Sequence, residues 1–215
     1  MQGPGTIDIL AALVGNRSGP PYSNRSIRGG FVTLLVGGLV LFIGIHVLPS
    51  FTGLRRALVA RLGENGYKIL FSLVSIAGLV LAVIGYGDAP RAQIFEPSET
   101  ARAILPVAMA LAFVLLVVGG VPGRIRRLIH HPMLASVLIW AALHFLANGD
   151  LASNVLFGAL ALWAVFAILS AEQRRKRLGH GPGNLKADAV GAVVGVVMFM
   201  LVLHFHAALF AVAPV

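Results

Sequence analysis

The chain has 215 residues, 58% of them hydrophobic and 12% charged, which is too apolar for an ordinary soluble globule and fits a polytopic membrane protein of one domain, or two at most. Its formal charge of +9 raises nucleic acid as a partner, but the basic residues collect in loops between apolar runs, and that placement argues for a membrane topology signal instead. No cysteine is present, which excludes disulfides, thiolate metal sites and a thiol nucleophile and leaves imidazole, hydroxyl or amide chemistry, or none.

Residues 1–30 are rich in Gly, Pro, Ser, Asn and Arg. Their one weakly apolar patch, Ile7 to Val14, is too short and too poorly flanked for a secretory signal. This segment reads as a disordered or non-native extension, the second version placing the true start at Val32, read from a GTG codon. N-terminal sequencing of the natural protein separates the two, since an intact Met1 excludes the later start. Residues 31–215 then form an all-α bundle. Six apolar stretches, at 31–48, 67–87, 103–121, 133–147, 151–171 and 189–213, approach or reach the roughly 20 residues with which a helix crosses about 30 Å of hydrocarbon. They lack the alternation of barrel strands, so helices must satisfy their backbone groups.

The first span places Gly37, Gly38 and Gly44 where a neighbouring helix or a flat ligand can approach the backbone. His46 lies near its far end, and Pro49 stops or kinks it. The loop that follows is amphipathic, with Leu54, Leu58 and Leu62 at four-residue spacing between arginines, and is expected to lie along an anionic leaflet. In the third span Pro106 falls in the first turn, where proline is tolerated. The fourth and fifth spans form a hairpin whose Asn148-Gly149-Asp150 link caps one helix with Gly149 and the next with Asp150. Glu172 opens a basic cluster, Arg174 to Arg177, that reads as a stop-transfer anchor. In the sixth span Gly191 and Gly195 make a face for close helix packing, and His204 and His206 point about 200° apart, so that only one of them faces the bundle.

Six spans put alternate loops on opposite sides. Arg55, Arg56, Arg61, Lys68, Arg124, Arg126, Arg127, Arg174, Arg175, Lys176, Arg177 and Lys186 share one face, which holds 12 of the 17 basic residues and, of the acidic ones, only Glu64, Glu172 and Asp188. That bias makes the basic face cytoplasmic and leaves both termini periplasmic.

Between these boundaries no Asp, Glu, Lys or Arg lies in the membrane interior, which weighs against ion-coupled transport. The ionisable groups within the membrane are His46, His144, His204 and His206, with His131 at a boundary. Neutral imidazole is a good haem-iron ligand, and beside His144 the small Ala141 and the flat Trp140 suit a macrocycle lying against the helix. A hydrogen-bonded packing histidine accounts for His144 equally well.

From about Leu35 to Leu203 the chain resembles the NnrU family of bacterial inner-membrane proteins. The resemblance rests on GLVLFIGIHVLPS at 38–50, LRRALVARLGENGYKILFSLVS at 54–75, HPMLASVLIWAALHFLANGDLAS at 131–153 and the basic segment containing Glu172. It implies a role in denitrification, through expression or activity of nitrite and nitric oxide reductases. Such proteins are in turn similar to 15-cis-zeta-carotene isomerase, a haem b enzyme whose ligand histidines match His46 and the histidine of Trp140-x-x-x-His144. Ala141 stands where that enzyme has a cysteine, so its redox-switched ligand exchange does not carry over. The resemblance thus implies haem b with His46 and His144 as cofactor-binding residues and iron ligands, in the lipid bilayer of the inner membrane, with denitrification or redox membrane proteins as partners. Hydropathy sets the two imidazoles at depths roughly 12 Å apart and makes His131, the alternative ligand, the better match in depth for His46. The rival readings are a haem-dependent isomerase or redox enzyme acting on a lipophilic substrate such as a carotenoid or quinone, and a scaffold or assembly factor in which the histidines only pack.

Overall fold

A computed structural model describes residues 23–173 and 183–210. The apolar patch near the N-terminus, the basic cluster Arg174 to Arg177 and the last five residues lie outside the described residues.

Six long helices and one short one follow in order: α1 (Ser23–Val47), α2 (Thr52–Asp88), α3 (Glu99–Val118), the single turn α4 (Ile125–Leu128), α5 (Pro132–Asn148), α6 (Leu151–Gln173) and α7 (Leu185–Phe210). Five are long and apolar enough to cross a membrane, and α5 is a shorter apolar helix. The described residues form no strand, only an isolated bridge between Gln93 and Asp150. This is a helical membrane bundle of the class that the apolar runs predict.

Three helix starts differ from expectation because caps and amphipathic turns extend a helix beyond its apolar run. The first helix begins at Ser23, inside the segment read as an extension. The second begins at Thr52, so the amphipathic stretch after Pro49 is itself helical and bends into the span at Gly63, whose φ of 73° a side chain would strain. Leu54 and Leu62 are exposed there, as a helix lying on a leaflet requires. The third begins at Glu99 because Ser98 Oγ accepts from Ala101 N at 3.2 Å. Pro106 is therefore inside α3 and not in its first turn, and the Arg102 carbonyl loses its helical donor.

In space the helices pack in the order α2, α1, α6, α5, α3, α7, each mainly against its neighbours in that row. Lipid offers no hydrophobic drive between helices, so association depends on close van der Waals contact. At the α1–α2 crossing Gly38 lies against the backbone of Ala82 and Gly78, and Gly78 against that of Phe42. Of the glycines expected to admit a neighbour, Gly37 and Gly44 have open space beside them instead, since they face away from this crossing. Gly195 receives the α3 backbone at Val114, and Gly191 meets the Val118 side chain. One core joins Leu35, Leu39, Ala82, Ala141, Phe157 and Leu160, a second joins Leu105, Met109, Ala147 and Phe199, and Trp140 packs against both.

The two ends are tied differently. At the end carrying Arg124, Arg126 and Arg127, the buried Asp188 accepts from Arg124 N at 2.6 Å and from Ile125 N at 3.3 Å. At the opposite end the link between α5 and α6 works as its sequence predicts: Gly149 caps α5 at φ 71°, and Asp150 Oδ1 accepts from Ser153 N at 3.1 Å. The loop after α2 is laced to this link. Ile94 N donates to Gly149 O at 2.9 Å, Leu151 N to Ala92 O at 2.8 Å and Ser98 N to Leu146 O at 2.9 Å. Arg91 stacks over Tyr86 at 4.1 Å and reaches Asp150 at 3.5 Å, while the Tyr86 hydroxyl meets Ser153 Oγ at 3.1 Å. Replacing Asp150 by Ala removes the cap and the partner of Arg91 together. Amide exchange at Ile94 and Phe95 should then quicken about tenfold, for about 1.4 kcal/mol of lost capping and pairing, and unchanged exchange would show that the loop holds without it.

Candidate functional site

The imidazoles singled out by the sequence sit on opposite flanks of α6. His46, on α1, directs Nδ1 at the Phe42 carbonyl at 2.7 Å. Its ring packs against Phe42, Phe71 and Trp163, with centroids 4.2, 5.1 and 5.4 Å away. His144, on α5, directs Nδ1 at the Trp140 carbonyl at 2.8 Å and packs against Phe157 at 4.9 Å. A carbonyl can only accept, so in each neutral ring Nδ1 carries the proton and Nε2 the lone pair. That is the tautomer a metal-binding histidine adopts when a backbone oxygen orients it.

The two rings do not meet. Trp163 beside His46 and Phe157 beside His144 are six residues apart on α6, which is about 9 Å along the axis and about 120° around it. Axial ligands of one iron need nitrogens only about 4 Å apart, so the donor type at each position fits haem while the spacing of this pair does not. His131, the alternative ligand, lies farther away. Its Nε2 is 3.3 Å from Glu172 Oε2, nine residues beyond Trp163 and so about 14 Å from the level of His46. His144 is thus nearer in level to His46 than His131 is, the reverse of the hydropathy expectation, because α5 and α6 run on toward the basic end well past His46.

One further imidazole, His206 of α7, stands within electrostatic range of His144, and it is half-buried while His204 is exposed against Phe205. Only one of that pair faces the bundle, as their angular separation predicts. Nothing in the residue pattern pairs His206 with a histidine two helices earlier.

Beside His46 runs an open groove of about 270 Å³ between α1 and α2, whose walls include Phe42, Phe71, Ser75, Ile76 and Leu79. An adjoining groove of about 310 Å³ shares Phe71 and Ser72 with it and continues past Tyr67 to Arg55 and Lys68. Arg55 is held there by Glu64 at 3.3 Å and over the Tyr67 ring at 5.4 Å. Two buried polar atoms beside His46 have no hydrogen-bond partner, Ser75 Oγ and Trp163 Nε1. Ser75 lies three residues after Ser72 in an otherwise apolar run, a spacing that puts two hydroxyls on neighbouring helix positions and is the one sequence signal that could have drawn attention to this groove.

A row of helices, five of them long and apolar enough to cross a membrane, defines a multi-pass membrane protein. The chain matches the family model described as NnrU protein over residues 34–214. It belongs to the NnrU family. No curated protein and no solved structure matches it.

Proposed function

We propose that this NnrU-family protein acts in the bacterial inner membrane in support of denitrification, and that it carries haem b with His144 as an iron ligand. The family membership supports the first part. The observation that carries the second is the His144 ring, oriented by the Trp140 carbonyl so that Nε2 keeps its lone pair. Haem would supply a redox-active iron, for which a neutral imidazole is a good ligand. The chain's own contribution is to orient the ligand, through the i−4 carbonyl and the Phe157 ring, and to keep water away. His206, within electrostatic range of His144, is a candidate for a second imidazole. His46 becomes the second ligand only if α1 slides along α6 by about 9 Å, and the seam between those helices is much shorter than the one α1 shares with α2.

Deleting the gene in a denitrifying host should lower nitrite and nitric oxide reductase activity during anaerobic growth on nitrite, with recovery when the intact gene is returned. Normal reductase activity in the deletion strain would remove the denitrification reading. For orientation, the basic loops are proposed to face the cytoplasm. Reporter fusions at Arg124 and at Asp150 should then report the cytoplasm and the periplasm respectively, and the same side for both would overturn this topology.

A further inference from the structure

We infer that the groove beside His46 binds the ring head of a membrane-soluble quinol or quinone, a second site distinct from the one proposed at His144. A serine in a membrane helix ordinarily bonds the carbonyl of the preceding turn, yet Ser75 Oγ lies buried without a partner on the groove wall. The indole of Trp163 packs edge-on to His46 and its Nε1 also lacks one. A buried donor left unmatched in an apolar medium is costly, and such atoms call for an occupant that satisfies them.

Their chemistry defines that occupant. On the groove wall Ser75 can donate or accept, and His46 Nε2 accepts, because Nδ1 is committed to Phe42 O; Trp163 packs on His46 and is not part of that wall. A ring bearing a hydroxyl and a carbonyl or second hydroxyl answers this set: a hydroxyl donates to His46 Nε2 and a ring oxygen accepts from Ser75. A hydrocarbon such as a carotene offers nothing to these groups. A phosphate headgroup belongs lower, near Lys68 and Arg55, seven or more residues toward the basic end. The aromatic walls, Phe42 and Phe71, suit a flat ring. About 270 Å³ of groove holds one substituted ring, and its open side leaves a prenyl tail in the lipid, where Leu79 and Ile76 are already exposed.

The test uses the full-length protein in lipid nanodiscs and a short-tailed azidoquinone as photolabel. Label should concentrate in the peptide spanning Phe71 to Leu79 and be displaced by excess decylubiquinone. Ser75→Ala should weaken that displacement severalfold, and Ser75→Phe, which fills the groove, should abolish the specific label. Both variants should keep the haem absorbance of the unmodified protein. Label spread evenly over the lipid-facing side chains and not displaced would overturn the site, as would displacement by phospholipid or by a carotene equally well. Loss of haem absorbance in Ser75→Phe, with the protein still folded, would make the groove part of the haem site and also overturn the proposal. The same labelling in His144→Ala as in the unmodified protein would uphold it even if haem proves absent.

Discussion

Alanine at His144 should remove the haem absorbance of the purified protein, lowering haem per chain by tenfold or more, because the imidazole is the proposed bond to the iron. The environment supports a large effect. The ring is held from both sides, by the Trp140 carbonyl at 2.8 Å and by Phe157 at 4.9 Å, so its removal leaves an apolar gap and not a rearranged donor. His204→Ala serves as the control, since that ring is exposed against Phe205 on α7, and it should keep the full band. His206→Ala should shift the band without abolishing it if that residue is the second ligand. A band lost in His46→Ala and kept in His144→Ala would reverse the assignment and place haem in the groove.

Leucine at Gly38 should be strongly damaging to the fold. A Cβ at this position meets the backbone of Ala82 and Gly78 on α2, and backbone cannot rotate away as a side chain can. Overpacking a well-packed site typically costs about 1–3 kcal/mol, and here the strain falls on the crossing that holds α1 and α2 together. Thermal unfolding in detergent should shift down by several degrees, with less monodisperse protein recovered. Gly37→Leu, one residue away and facing open space, should be nearly neutral. Equal effects from the two would mean that the close crossing does not determine stability.

Much of the bundle could be read from hydropathy, because a bilayer accepts little besides helices and each apolar run had to become one. The caps were readable too: Gly149 and Asp150 stand where their residue types require. Helix starts were not, because Ser98 and the amphipathic turns after Thr52 extend helices through residues too polar to register as a span. Which glycines would matter was half readable. Small residues mark a crossing, but only the rotation of α1 against α2 decides that Gly38 meets a backbone and Gly44 does not. The candidate site was the least readable part. Its histidines were visible one by one, but depth counted from each helix boundary misjudged their relative levels, since α5 and α6 reach beyond the level of His46 to bring His131 onto Glu172. The electrostatic range between His206 and His144, and the unpaired Ser75 Oγ and Trp163 Nε1 around His46, depend on how helices distant in sequence are placed.

The most direct test of the central claim is the absorption spectrum of the purified, full-length protein expressed with ample haem, with the bound haem quantified as its pyridine haemochrome. The account predicts a Soret band, a haem b haemochrome and about one haem per chain, all lost with His144→Ala. Folded, monodisperse protein without a Soret band would contradict it and leave the histidines as packing residues.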